Sequence, residues 1–187
     1  MVLTRTLALA WLAVLASCVH APAVVRAPEP VPTTLWALQE VERAAEVGPV
    51  PAPLVEALAQ VCRDRNLTVR EGELPRQALP TVRDSHRRLA LLQADSARLG
   101  IFAEARAVFF AQVDGRFRWN VLARLTLFSP TKAFEPQVVD LTLPVALNFA
   151  HEGPDDALTA VRALLAARLA AALDQLLQEQ SALNVGR

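Results

Sequence analysis

From Ala103 onward the chain alternates. The odd positions of residues 103–113 are Ala, Ala, Ala, Phe109, Ala111 and Val113, while Glu104, Arg106 and Gln112 stand at even ones. The same parity returns in residues 116–128. Phe117, Trp119, Val121, Ala123, Leu125 and Leu127 are odd; Arg116, Arg118, Asn120, Arg124 and Thr126 are even. Two alternating runs around Asp114-Gly115 predict an antiparallel β-hairpin with one apolar face. Parity also selects the turn. A two-residue Asp-Gly loop would set Val113 against Arg116 and mix core with solvent. A three-residue loop with Gly115 left-handed pairs Gln112 with Arg116 and keeps all odd residues together. That register sets Phe109 opposite Trp119, Ala107 opposite Val121, Glu104 opposite Arg124 and Phe110 opposite Arg118.

A third strand follows a loop containing Pro130 and Pro136, with Val139, Leu141, Leu143, Val145, Leu147 and Phe149 again odd. Pro144 lacks a ladder donor and marks an edge or a bulge. After it the period changes to that of a helix. Pro154 suits a first turn, Asp155 and Asp156 its positive end, and Leu158, Val161, Leu165, Leu169, Ala172, Leu173 and Leu176 form one stripe. Upstream, the pattern predicts a helix over residues 35–47 capped by Thr33 or Thr34. A second spans residues 53–65 and stops at a left-handed Asn66, and a short strand follows at 67–70. Residues 71–80 read as a loop and 81–94 as a third helix. The expected fold is a two-layer α+β domain. An antiparallel three-stranded meander and one short strand are packed by a long C-terminal helix and two or three N-terminal helices.

The first residues have a different pattern. Arg5 precedes an uncharged apolar stretch of 11 residues, 6–16. About 20 are needed to span a bilayer, so a signal peptide is expected rather than a membrane helix. Leu15-Ala16-Ser17-Cys18 resembles the lipobox of bacterial lipoproteins. The resemblance implies cleavage before Cys18, a diacylglyceryl thioether on its sulfur and an acylated new N-terminus. Val19, in place of the aspartate that favours inner-membrane retention, implies an outer-membrane address facing the periplasm. Residues 19–34 carry four prolines and no glycine and read as an extended tether of up to roughly 50 Å. The expected organisation is a signal peptide at 1–17, lipidated Cys18 with its tether to 34, one domain at 35–180 and a flexible tail at 181–187.

Charge narrows the partners. The chain has 19 basic and 19 acidic side chains, and losing residues 1–17 removes only Arg5, leaving 18 against 19. Nothing in that balance points to nucleic acid. Lys132 is the only lysine; arginine favours bidentate contacts with carboxylates and phosphates, although GC-rich codon usage also enriches it. With Cys18 acylated, Cys62 has no cysteine to pair with and reads as a small buried thiol.

Candidate chemistry is sparse. His20, His86 and His151 stand apart, and no His/Cys cluster has metal-ligand spacing. Gly-rich phosphate loops and nucleophile elbows are missing from the sequence, so no catalytic residue, metal or cofactor is expected. The even face of the predicted sheet stands out, with Arg106, Arg118 and Arg124 beside Phe110 and Leu122. It reads either as a solvated or helix-covered face, or as a surface that grips an envelope partner. The order of elements behind a lipobox is similar to that of small envelope-assembly lipoproteins: the lipopolysaccharide-assembly lipoprotein LptE, the activators of penicillin-binding proteins and the curli-secretion lipoprotein. That resemblance, of topology alone over residues 54–178, implies a non-enzymatic accessory role in binding a protein, lipopolysaccharide or peptidoglycan. A lipid-anchored hydrolase using His151 and nearby acids is the alternative.

Overall fold

The structure, a computed structural model, describes residues 29–40, 47–73, 84–130 and 135–185. The elements run β1 (Val31–Glu40), β2 (Val47–Pro49), α1 (Ala52–Arg63), β3 (Leu67–Glu71), α2 (Ser85–Ala94), β4 (Leu99–Val113), β5 (Arg116–Phe128), β6 (Gln137–Leu147), α3 (Pro154–Ala160) and α4 (Arg162–Val185). They form an α+β fold around one mixed six-stranded sheet. β4, β5 and β6 make the expected antiparallel meander. β1 runs parallel to β4 on one side, and on the other pairs first with β3 in parallel and then with β2 in antiparallel. Cys18 and most of the tether lie outside the described residues.

The N-terminal helix expected over residues 35–47 is instead strand β1, and it begins at Val31, inside the segment read as tether. The reason is burial on both faces. Leu35 belongs to one core cluster, whereas Trp36 and Leu38 belong to another on the opposite side of the sheet. A strand covered on both faces shows a continuous apolar run, which periodicity cannot separate from a helix. Residues 41–46 of that predicted helix are outside the described region.

Odd side chains build the larger core. Leu35, Ile101, Val121, Ala123, Leu125 and Leu127 meet α1 through Leu54, Leu58 and Cys62, and the C-terminal helices through the predicted stripe, every member of which is buried. α3 and α4 act nearly as one rod, interrupted at Val161, whose carbonyl still accepts from Leu165 N at 3.0 Å. The rod continues to Val185, past the point where a flexible tail was expected. Asn66 is left-handed, with φ of 57°, as its position after α1 predicts.

Among the described residues the even face is covered at one end only. There α2, capped by the Asp84 carboxylate accepting from His86 N and Arg87 N, lays Leu92 over Trp36, Phe102 and Phe128. These three rings stack, with centroids 4.6 Å (Trp36–Phe102) and 5.2 Å (Phe102–Phe128) apart. Arg88 is buried beside them, its guanidinium 5.8 Å from the Phe128 ring centre. α2 thus adds a partial third layer to the two expected.

The hairpin turn differs from the expected bulged loop. Val113 pairs with Arg116 across a two-residue turn in which Asp114 (φ 52°) and Gly115 (φ 73°) are both left-handed. The extra residue lies farther down the strand. Phe109 faces Trp119 as predicted but Ala111 faces Arg118, so Phe110 is bulged out and does not oppose Arg118. Below the bulge the predicted register holds, including Ala107 with Val121 and Glu104 with Arg124. Above it, Gln112, Val113 and Arg116 are all exposed. Mixing polar and apolar partners there costs little because no core face remains to be kept intact.

The aromatic stack needs bare backbone beside it. A Cβ on Gly100 would run into the Phe128 ring, and one on Gly72 into the Trp36 ring. Gly100→Ala is therefore expected to destabilise the fold by about 1–3 kcal/mol through overpacking, read from denaturant unfolding.

Candidate functional site

Past the end of α2, the even face of β4, β5 and β6 reaches solvent. Its side chains stand in cross-strand rows. Glu104, Arg124 and Asp140 form one row, and Arg106, Leu122 and Thr142 the next. The two rows, with Glu40 from the end of β1, line an open depression of about 440 Å³. Arg124 and Asp140 make a bidentate pair, Nε to Oδ1 at 2.6 Å and Nη2 to Oδ2 at 3.0 Å. The hydrogen bonds from Arg124 hold the Asp140 carboxyl below its ordinary range and raise the guanidinium's own pKa, with Glu104 adding to the latter.

Of the five residues singled out from sequence, three therefore meet in one place: Arg106, Leu122 and Arg124. Arg106 is half-buried, and Leu122 is 41 % exposed. Arg118 and Phe110 stand nearer the hairpin tip, both exposed, Phe110 to 70 %. Val138 on β6 adds a further apolar surface, 47 % exposed. Asp140 and Glu40 escaped the sequence reading. Asp140 sits at an even position of β6, but only the length of the β5–β6 connection brings it opposite Arg124.

Around His151, the alternative centre, the side chains make local contacts. His151 stacks on Phe149, with centroids 5.4 Å apart. Glu152 Oε2 accepts from the backbone N–H groups of Asn148 (2.8 Å) and Phe149 (2.7 Å), which closes the turn after β6. Asp156 accepts from Gly153 N at 2.8 Å, and Asp155 from Gln39 Nε2 at 3.2 Å. Glu152 and Asp156 thus serve local turns, and Asp155 a contact between α3 and β1. Cys62 is fully buried between α1 and the sheet, and desolvation pushes its thiol up to about 11 despite Arg65 and Arg63 nearby. Among the described residues no group of three His, Cys, Asp or Glu side chains gathers as a metal site. No helix among them is long and apolar enough to cross a membrane.

No protein-family model and no curated protein sequence matches the chain. Among solved structures, lipoprotein GNA1162 from Neisseria meningitidis is similar at 11% identity over 80% of this chain and 99% of that one, with a TM-score of 0.46. The PelC dodecamer subunit from Paraburkholderia phytofirmans is similar at 16% identity over 75% and 84%, with a TM-score of 0.40. The LpoB C-terminal domain from Salmonella enterica is similar at 7% identity over 67% and 87%, with a TM-score of 0.29. At these scores the resemblance is loose.

Two outcomes follow from the electrostatics. Because the Asp140 pKa is depressed in the folded chain, its pair with Arg124 stabilises above the ordinary carboxylate range, and that contribution is lost as pH falls through the folded value. Asp140→Asn should cost less than about 1 kcal/mol at neutral pH, with the gap to the parent closing below about pH 4 in unfolding titrations. Cys62 should resist thiol reagents at pH 8 in the native protein and react on denaturation, as followed by mass spectrometry.

Proposed function

We propose that this chain is a non-enzymatic lipoprotein of the outer membrane, anchored through Cys18 and facing the periplasm. Its domain binds an envelope partner, whether a protein, lipopolysaccharide or peptidoglycan. The observation that carries the reading is the open even face, where Leu122 and Val138 are exposed among Arg106, Arg118 and Arg124, with Phe110 exposed at the bulge in β4. Apolar side chains left in solvent beside arginines suit a contact surface better than a purely solvated one. The address is supported by the lipobox Leu15-Ala16-Ser17-Cys18. Several acyl chains, at about 0.8 kcal/mol per buried methylene, make such an anchor effectively permanent.

Arg124 is not an independent anion-binding group. Its guanidinium is already held by Asp140, so a phosphate or carboxylate would have to displace that pair. Arg118, exposed and facing Ala111 and Ala146 across the strands, is the more available cation. Binding is therefore expected to combine apolar contact at Leu122 with charge at Arg118, and to weaken with salt in proportion to the latter.

The address and the surface are tested separately. Cys18→Ser should move the protein from the membrane to the soluble fraction; unchanged membrane attachment would remove the anchor from the proposal. A photo-crosslinking side chain at Leu122 in the full chain should capture an envelope component in cells. The capture should be lost when Arg118→Glu is added to a protein that still folds. Equal capture from an exposed α4 position such as Ala163 would overturn the even face as the contact surface.

A further inference from the structure

The two edges of the sheet are treated differently. One edge is divided between β2, of 3 residues, and β3, of 5. Such short strands are a common way to discourage edge-to-edge pairing. The other edge is β6, 11 residues long and in unbroken register with β5. Among the described residues no strand pairs with its outer side. Among the described residues, the backbone hydrogen bonds made outside the ladders involve none of residues 137–147. The usual guards are thin. Asp140 is the only charged residue of β6 and is neutralised by Arg124, there is no bulge, and Pro144 withholds a single donor.

We propose that this edge is an interface for a second copy of the chain, joined antiparallel, β6 to β6, about a two-fold axis through Thr142. The strand is self-complementary in that register. Thr142 is its midpoint, so all residues from Gln137 to Leu147 find a partner. On the even face Thr142 meets its own copy, Asp140 meets Pro144 and Val138 meets Ala146, so no like charges oppose one another. On the odd face Val139 meets Val145 and Leu141 meets Leu143. These four are only half-buried against the helices, and the partner's row would complete their cover. Opposed Thr–Thr and apolar pairs are favourable cross-strand neighbours, and the ladder satisfies groups that otherwise face water. A register centred on Asp140 would set the two carboxylates against each other, which selects against it.

The edge carries this inference on its own; it depends on neither the lipid anchor nor the even-face partner. It is tested on the full chain in whole cells, wherever the chain partitions. Thr142→Cys, mildly oxidised, should give a disulfide-linked species at twice the chain mass as the main product, over the parental background from Cys18 and Cys62. Val138→Cys and Ala146→Cys should crosslink poorly alone and well when co-expressed, which reports the register. Thr142→Lys opposes two ammonium groups at the axis and should return the particle to monomer size in a protein that still unfolds cooperatively, with a melting temperature that no longer depends on protein concentration. No dimer from Thr142→Cys, or as much dimer from Ala163→Cys on α4, would overturn the interface. Capture of a different protein's strand at position 142 would overturn the choice of a second copy.

Discussion

β1 holds the structure together from the middle of the sheet. It pairs with three strands, is parallel to two of them, and sends Leu35 to one side and Trp36 to the other. Both cores need this strand. On the odd side Leu35 joins the layer under α1 and the C-terminal helices; on the even side Trp36 begins the ring stack with Phe102 and Phe128. Parallel pairing on both flanks requires crossovers, and the chain supplies them as helices on opposite faces. α1 returns the chain to β3 across the odd face, and α2 lies over the even face before β4. Without β1 the meander would keep its alternation, but neither helix would have a reason to dock where it does.

The stack also divides the even face. It fills the end where β1 meets the start of β4 and the finish of β5, and α2 is ten residues long. Beyond it the surface changes from aromatic core to the paired charges Glu104, Arg124 and Asp140, then to Arg106 and Leu122. Arg88 belongs to this boundary. It is buried over Phe128, and desolvation lowers its pKa while Asp84 and Glu104 oppose that shift. The same face is thus a hydrophobic core at one end and a mixed surface at the other.

Much of this was legible in the sequence, and the failures have definite causes. The hairpin register, the meander, α1, β3 and the apolar stripe of the last helix follow from periodicity, because each has one wet and one dry face. β1 reads as a helix in the sequence because burial on both faces erases that signal. The turn departs from the parity of the strands because the helix cover ends before the tip and a bulge at Phe110 resets the register. Arg106, Leu122 and Arg124 came out of the same parity argument and do share one depression. Phe110 was placed opposite Arg118 and is not, for the same reason the turn failed. Asp140 could not be assigned to Arg124, since the register of β6 depends on a proline-containing loop whose length in space the sequence does not specify.

The corrected start of the sheet changes the geometry of any anchor. With β1 beginning at Val31, twelve residues rather than sixteen separate Cys18 from the domain, a reach of about 37 Å if fully extended. The chain enters beside the start of β4, since Thr33 pairs with Leu99. From there β4 runs toward the hairpin, so Arg106 lies about 23 Å farther along and the tip about 46 Å, at roughly 3.3 Å per residue. In a single copy, a lipid on Cys18 would hold the end of the sheet with the ring stack nearer the bilayer than the mixed surface and the hairpin. The β6 edge runs along the same axis, from Gln137 beside Leu127 to Leu147 beside Phe117. Two copies joined there about a two-fold through Thr142 would have antiparallel β6 strands, so their hairpins would point in opposite directions. With that axis along the membrane normal both copies would lie along the bilayer, and the tethers would emerge from opposite ends of one continuous sheet. Twelve extended residues are long enough for both to return to a common surface.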